Sequence, residues 1–263
     1  MKIAVFSDVH SNLEAYRAAI LDIARRGDVN ALWCLGDVVG YGADPEICVQ
    51  ITLALAGSAP PPEFDEELAG AIGELAGKLR YVVLGNHDAA AFGHAIINYF
   101  NEAARAAALW TAAAISSPAS HFLRNLPLTA TEGDVLLVHS TPVRPEEFHY
   151  VTSVADAGEA FAATEARVIF YGHNHQPVVV SDREGRPAAA QPGEFGVDGR
   201  WLVNAGSVGQ PRDGDHRACY VVYDAGDTRL EFVRVDYDVD AAAAKILKAG
   251  LPRVLAERLQ YGW

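Results

Sequence analysis

Positive charge is scarce in this sequence: 21 Lys and Arg stand against 34 Asp and Glu, a formal net charge of -13 over 263 residues. That balance argues against the broad electrostatic attraction used by most binders of duplex nucleic acid and of anionic membranes. A phosphate-bearing ligand would need a local source of positive charge. Cysteine is sparse too. Cys34, Cys48 and Cys219 are far apart, odd in number and free of C-x-x-C spacing, so neither a disulfide framework nor a thiolate metal cage is expected. Three reduced, buried thiols are the simpler expectation. No apolar run approaches membrane-spanning length, and the stretch "IAVF" ahead of Asp8 and His10 is too short for a signal-peptide core. A cytoplasmic, soluble protein is expected. Internal repeats and low-complexity tracts are missing as well, apart from Ala enrichment in stretches where Ala favours helix.

Hydrophobic residues make up 50% of the chain, enough for a sizeable core. Short runs rich in β-branched residues recur at 2–7 (KIAVFS), 31–36 (ALWCLG), 80–85 (RYVVLG), 134–139 (DVLLVH) and 167–172 (RVIFYG). They read as strands buried on both faces. Helical patterns at 12–26, 63–79 and 101–116 alternate with them, which predicts an α/β sheet. Ser11 and Glu14 fit a capping box, placing the first helix directly after His10. Beyond residue 176 the runs PVVVSD, RWLVNAG, ACYVVYD and RLEFVRVD, separated by turn residues, predict antiparallel pairing, so a mixed sheet or two stacked sheets. Residues 57–62 read as a loop and 183–199 as a long Gly/Pro-rich connection between strands. Neither looks like a linker between domains, so one domain over 1–263 is expected, ending in a helical segment at 238–263.

Each of the five strands ends in residues that bind metals. Asp8 and His10 follow the first, Asp37 the second, Asn86 and His87 the third, His139 the fourth, and His173 and His175 the fifth. Ligands of open α/β sheets bind beyond the carboxyl ends of the strands, where such residues can converge. Taken singly, each fragment reads as a turn, a helix cap or a core histidine. Taken together they would bury several carboxylates and imidazoles, which costs several kcal/mol per unpaired charge unless a cation neutralises them. Carboxylate and amide oxygens with imidazole nitrogens, and no thiolate, suit Mn, Fe, Co, Ni or Zn. Manganese is the first choice. More ligand-type residues are present than one ion would use, so two divalent ions are expected.

In order along the chain, SDVHSN, GDVVGYG, GNHD, VHSTP and GHNH resemble the calcineurin-like metallophosphoesterase family. NAGSVGQPRDGD and AGLPRVLAERL resemble its small single-domain bacterial and archaeal members. The resemblance implies a four-layer α/β/β/α sandwich with two packed mixed sheets. It implies one ion on Asp8, His10 and His175, a second on Asn86, His139 and His173, and Asp37 bridging them. It further implies hydrolysis of a small phosphate ester by a hydroxide shared between the ions. His87 would be the general acid, or would hold phosphoryl oxygens, with Asp88 either orienting it or capping a helix. Two departures stand out. Relatives that dephosphorylate proteins carry Asp and Arg where this chain has Gly40 and Tyr41, and Ser140 stands where many relatives have Gly. The missing Arg favours diesters, nucleotides or dinucleotides over monoesters, unless Arg212 supplies a substrate-phosphate contact. Alternatives are a broad phosphomonoesterase and a catalytically weak scaffold. His94, His121, His149 and His216 are expected on the surface.

Overall fold

A computed structural model of the chain describes residues 1–59 and 64–263. The expected loop at 57–62 is therefore seen only as far as residue 59, and the expected helix start at 63 lies outside the described residues. Two mixed sheets form the centre. The first holds, in spatial order, β11 (Arg229–Val235), β10 (Ala218–Asp224), β1 (Lys2–Phe6), β2 (Ala31–Cys34) and β3 (Leu79–Val82). The second holds β4 (Thr129–Glu132), β5 (Val135–Val138), β6 (Val168–Tyr171), β9 (Arg200–Asn204), β7 (Val178–Arg183) and β8 (Arg186–Ala190). Strands β1, β2 and β3 are parallel, as are β5, β6 and β9, so within each sheet these strands end at one edge.

The two-residue period of a strand sorts the side chains into layers. Ile3 and Val5 of β1, with Trp33 of β2, meet Leu137, Phe170, Trp201 and Val203 of the second sheet and build a core between the sheets. Ala4, Phe6, Leu32 and Cys34 point the other way, under α1 (Leu13–Arg26), α2 (Pro45–Leu55) and α3 (Glu66–Leu75). Chain reversals and the helices α4 (Asn86–Ala91), α5 (Glu102–Ala114) and α6 (Ser117–Arg124) lie between β3 and β4. On the outer face of the second sheet, Ile169, Tyr171 and Leu202 pack on Ala157, Ala160 and Phe161, the last three from α7 (Val154–Ala162). The result is the expected α/β/β/α sandwich.

Several local expectations need correction. Burial on both faces holds for β1, β2 and β6 but fails for β3, which is an edge strand with Arg80 exposed. The connection expected at 183–199 contains β8, which among the described residues pairs only with β7. Its Arg-Pro-Ala-Ala-Ala sequence lacks β-branched residues, and a proline is tolerated there because the strand is an edge. The cap of α1 is Asn12, whose side chain accepts from Ala15 N–H at 3.1 Å. Ser11 is diverted: its hydroxyl accepts from Gly40 N–H at 3.0 Å, and Glu14 pairs with Lys245 at 2.6 Å.

The C-terminal segment is helical, with α8 (Val239–Lys248) and α9 (Arg253–Tyr261). Ile246, Leu255 and Leu259 pack with Tyr41 and Ala107. Lys245 also reaches Asp44 at 2.9 Å, and Gly214 N–H donates to the Gly262 carbonyl at 2.9 Å. Among the described residues no helix is long and apolar enough to cross a membrane.

Candidate metal centre

Because β1, β2, β5 and β6 are short, the chain turns sharply just beyond each one, and those turns carry the candidate ligands. Asp8, His10, Asp37, His173 and His175 all have left-handed backbone, with φ of 56°, 51°, 53°, 63° and 59°. Such conformations cost non-glycine residues free energy and persist where surrounding contacts enforce them. Here those contacts are visible. Ser207 Oγ and Gly209 N–H both donate to the Asp8 carbonyl, at 2.9 and 2.8 Å, so the NAGSVGQ segment after β9 braces the Asp8 turn. Asn204 Nδ2 donates to the Gly172 carbonyl at 2.6 Å and fixes the turn before His173. Gly85 is required by close approach, since a Cβ there would lie 2.0 Å from Asp37 Oδ1.

The seven candidate ligands converge in two adjoining groups. Asp8, His10 and His175 offer ligand atoms within 4.8 Å of one another, and so do Asp37, His139 and His173. Asn86 joins the second group, its Oδ1 lying 3.0 Å from His139 Nε2. Asp37 Oδ2 faces both groups, 3.3 Å from His139 Nε2 and 3.7 Å from His10 Nε2. All seven side chains are buried.

Each carboxylate is half satisfied. Asp8 Oδ2 accepts from His173 N–H at 3.0 Å and Asp37 Oδ1 from His87 N–H at 2.8 Å, while Asp8 Oδ1 and Asp37 Oδ2 are buried without a hydrogen-bond partner. His173 Nε2 is likewise buried and unpartnered. The other imidazoles are oriented by backbone carbonyls. His10 Nδ1 faces Val39 O at 3.2 Å, His139 Nδ1 faces Leu35 O at 2.8 Å, and His175 Nδ1 faces Gln210 O at 2.6 Å. A ring nitrogen facing a carbonyl carries the proton, which leaves Nε2 with a lone pair in the neutral ring. The Nε2 atoms of His10 and His175 lie 3.0 Å apart, and His139 Nε2 looks onto the Asn86 and Asp37 oxygens. Acceptors aimed at acceptors in a buried space repel unless a cation lies among them. The donor set therefore fits divalent metal ions.

The protonation states of Asp37, His173 and His175 agree with this. Burial raises the Asp37 carboxyl, but the positive field of His139, His87 and His10 outweighs it and holds Asp37 well below the usual carboxylate range. Burial lowers His173 to about 3 and His175 to about 4, the latter aided by the Arg212 charge. Ionised carboxylates and neutral imidazoles are the forms that bind metal. His139 moves oppositely: burial lowers it, the Asp37 charge overrides this, and it reaches about 9. A divalent ion beside Asp37 would replace that proton.

His87 lies beside these groups. Its ring is held between Tyr41 and Phe100, with centroids 4.2 and 4.5 Å away, and its Nδ1 is buried without a partner. Gly40 explains how the ring comes so close, because at φ of 101° a Cβ there would fall 2.6 Å from His87 Nδ1. An Asp at this position would collide with the ring. Asp88 does not orient His87: its two oxygens accept from Val39 N–H at 3.1 Å and Gly85 N–H at 3.2 Å, tying α4 to the Asp37 turn. Burial, then the Asp37 charge, raises Asp88 to about 7.

Arg212 sits at the edge of the site. Its guanidinium lies 5.6 Å over the Tyr41 ring and donates to Gln210 Oε1 at 2.9 Å, while its Nε is buried and unpartnered. Among the described residues it forms no ion pair. The histidines expected on the surface, His94, His121, His149 and His216, are all exposed. His94 and His149 nevertheless line a cavity that opens from Asn86, His87 and His173. Sequence patterns gave no sign of this cavity, nor of Tyr150, which stacks on His173 with centroids 3.9 Å apart. The aromatic content of the EEFHY segment was the one available hint.

Two sheets whose strand ends meet around paired Asp/His groups define a metal-dependent hydrolase fold. The chain belongs to the calcineurin-like phosphoesterase superfamily, whose domain model matches residues 1–228. It is thus a metallophosphoesterase, a hydrolase of phosphate esters. It is 37% identical over 269 residues to an uncharacterized protein of Methanocaldococcus jannaschii, covering 99% of this chain and 98% of that protein. It is similar to a crystal structure of a metallophosphoesterase from Sphaerobacter thermophilus, with 33% identity, a TM-score of 0.80 and 100% of both chains covered. A hypothetical protein from Pyrococcus horikoshii OT3 shares the fold at 19% identity and a TM-score of 0.75, covering 100% of this chain and 98% of that one.

Proposed function

We propose that this protein is a cytoplasmic phosphodiesterase that works with two divalent ions, manganese first among them. Asp8, His10 and His175 hold one ion, Asn86, His139 and His173 the other, and Asp37 contributes to both. The observation that carries this reading is the set of buried ligand-type atoms facing one another, Asp8 Oδ1, Asp37 Oδ2 and the Nε2 atoms of His10, His139, His173 and His175, gathered in two adjoining groups. Bound there, divalent ions would supply the positive charge that polarises phosphorus and lowers the pKa of attacking water. That charge also answers how a chain of net charge -13 attracts a phosphate. The whole chain acts as one domain, a reading supported by the packing of α8 and α9 on Tyr41 and α5 and by the Gly214 to Gly262 hydrogen bond.

The remaining steps belong to side chains. His87 protonates the leaving alkoxide. Burial lowers its pKa well below the ordinary value, Asp37 pulls it back up, and a phosphate alongside adds a further negative charge favouring the protonated ring. Tyr41 and Gly40 leave a less charged rim than an Asp and Arg would, which suits the single charge of a diester. A monoester dianion needs additional cationic grip.

Arg212 supports a second reading, a broad monoesterase, because its guanidinium stands beside Tyr41 with Nε free of partners. Comparing kcat/KM for bis-p-nitrophenyl phosphate and p-nitrophenyl phosphate decides between them. The diester is expected to be the better substrate, with Arg212→Ala changing the two activities by similar factors. A monoester preference that disappears in Arg212→Ala would overturn the diester reading and assign Arg212 to the phosphate.

A further inference from the structure

The cavity beside the metal groups is far larger than a phosphate requires, about 650 Å³. That is the size of a pocket for an organic molecule. Asn86, His87 and His173 form its inner end, and Tyr41, Phe100 and Tyr150 are among its walls. Tyr150 lies nearly parallel to the His173 imidazole, at 24°, yet is 52% exposed, so one ring face is covered by His173 while much of the side chain remains open. Tyr99, at another point of the wall, is 86% exposed. Exposed aromatic surface of this kind is costly to leave wet and presents flat π-faces to a ligand.

Charge narrows the ligand further. Among the described residues that line the cavity there is no Lys or Arg; the charged ones are Glu146 and Glu147. Glu147 is already engaged by Arg144 at 2.8 Å and His149 at 2.6 Å, while among the described residues Glu146 has no salt-bridge partner. A second anionic group on the substrate would meet carboxylate rather than cation. Of the nearby arginines, Arg144 is taken up by Glu147, and Arg212 stands beside Tyr41 at the edge of the site.

On the phosphoesterase reading above, we propose that this cavity binds the organic substituent of the ester, an uncharged planar aromatic group up to nucleoside size, stacked on Tyr150. Substrates with a further phosphate or carboxylate on that substituent are disfavoured, which points away from dinucleoside polyphosphates.

Phosphonates test this without turnover, because their P–C bond is not hydrolysed. Manganese-loaded protein is titrated calorimetrically with methylphosphonate, cyclohexylphosphonate, phenylphosphonate and 4-carboxyphenylphosphonate, and manganese content is measured alongside. Phenylphosphonate is expected to bind roughly tenfold more tightly than methylphosphonate, the scale of one stacked ring. It should also bind more tightly than the cyclohexyl and carboxyphenyl compounds. Tyr150→Ala should remove the phenyl advantage with manganese content unchanged, and Tyr150→Phe should retain it. Equal affinity for phenyl and methyl, cyclohexyl binding as tightly as phenyl, or an advantage that survives Tyr150→Ala would overturn the proposal. Hydrolysis of bis-p-nitrophenyl phosphate is followed separately. Its absence would count against the phosphoesterase reading while leaving the phosphonate series to judge the cavity.

Discussion

Replacing Asp37 by Asn is expected to abolish hydrolysis and to erase the response of the protein's thermal stability to manganese. Asp37 Oδ2 stands 3.3 Å from His139 Nε2 and 3.7 Å from His10 Nε2, so it faces both groups. The substitution removes its negative charge from the space between two cations. It should leave the fold intact, because an amide oxygen can still accept from His87 N–H as Asp37 Oδ1 does at 2.8 Å. Each ion present at about a thousand times its Kd stabilises the native state by about 4 kcal/mol. For a chain of this size, 1 kcal/mol moves Tm by roughly 2–4 °C. With two such ions, wild-type protein should therefore melt at least about 16 °C higher with manganese than after chelation, and Asp37→Asn should melt at nearly the same temperature either way. Elemental analysis of the variant is the check. Normal metal content would show that Asp37 does not serve both ions.

His87→Ala should leave the ions bound and lower kcat on alkyl diesters by roughly 10²- to 10⁴-fold, the usual contribution of a positioned acid. Among the described residues the ring makes no side-chain hydrogen bond to a candidate ligand; it is held by Tyr41 and Phe100 and touches His10 only edge-on, with centroids 5.0 Å apart, so its loss leaves every ligand atom in place. With p-nitrophenolate leaving, protonation matters little, and the loss should shrink markedly. An equal loss on alkyl and p-nitrophenyl esters would assign His87 instead to hydrogen bonding of the phosphoryl oxygens, a task that a neutral imidazole performs. Burial lowers the His87 pKa, so the leaving-group comparison, rather than activity at one pH, separates the two roles.

What could be read from the sequence, and what could not, follows from where the information resides. Asp8, His10, Asp37, Asn86, His139, His173 and His175 were legible as a set because each follows a short apolar run, and parallel strands bring such ends to one edge. The layers were legible because the strand period separates Ile3 and Val5 from Ala4 and Phe6. Tertiary demand overrode local pattern elsewhere. Ser11 has the chemistry of a cap but is taken by Gly40 N–H, and Asn12 caps in its place. β8 escaped notice because an edge strand with one partner tolerates Pro and Ala. The carbonyls of Leu35, Val39 and Gln210, which set the imidazole tautomers, have no side-chain signature at all. Tyr150 and Phe100 reach the site from loops whose course the local sequence does not dictate.

The most direct test of the central claim is the metal stoichiometry of function. Protein stripped by chelator is titrated with manganese while bound metal per chain, Tm and hydrolysis of bis-p-nitrophenyl phosphate are followed together. Two ions per chain are expected, with activity absent in stripped protein and restored fully only as the second site fills. Full activity in metal-free protein, or saturation of activity at a single ion per chain, would contradict it.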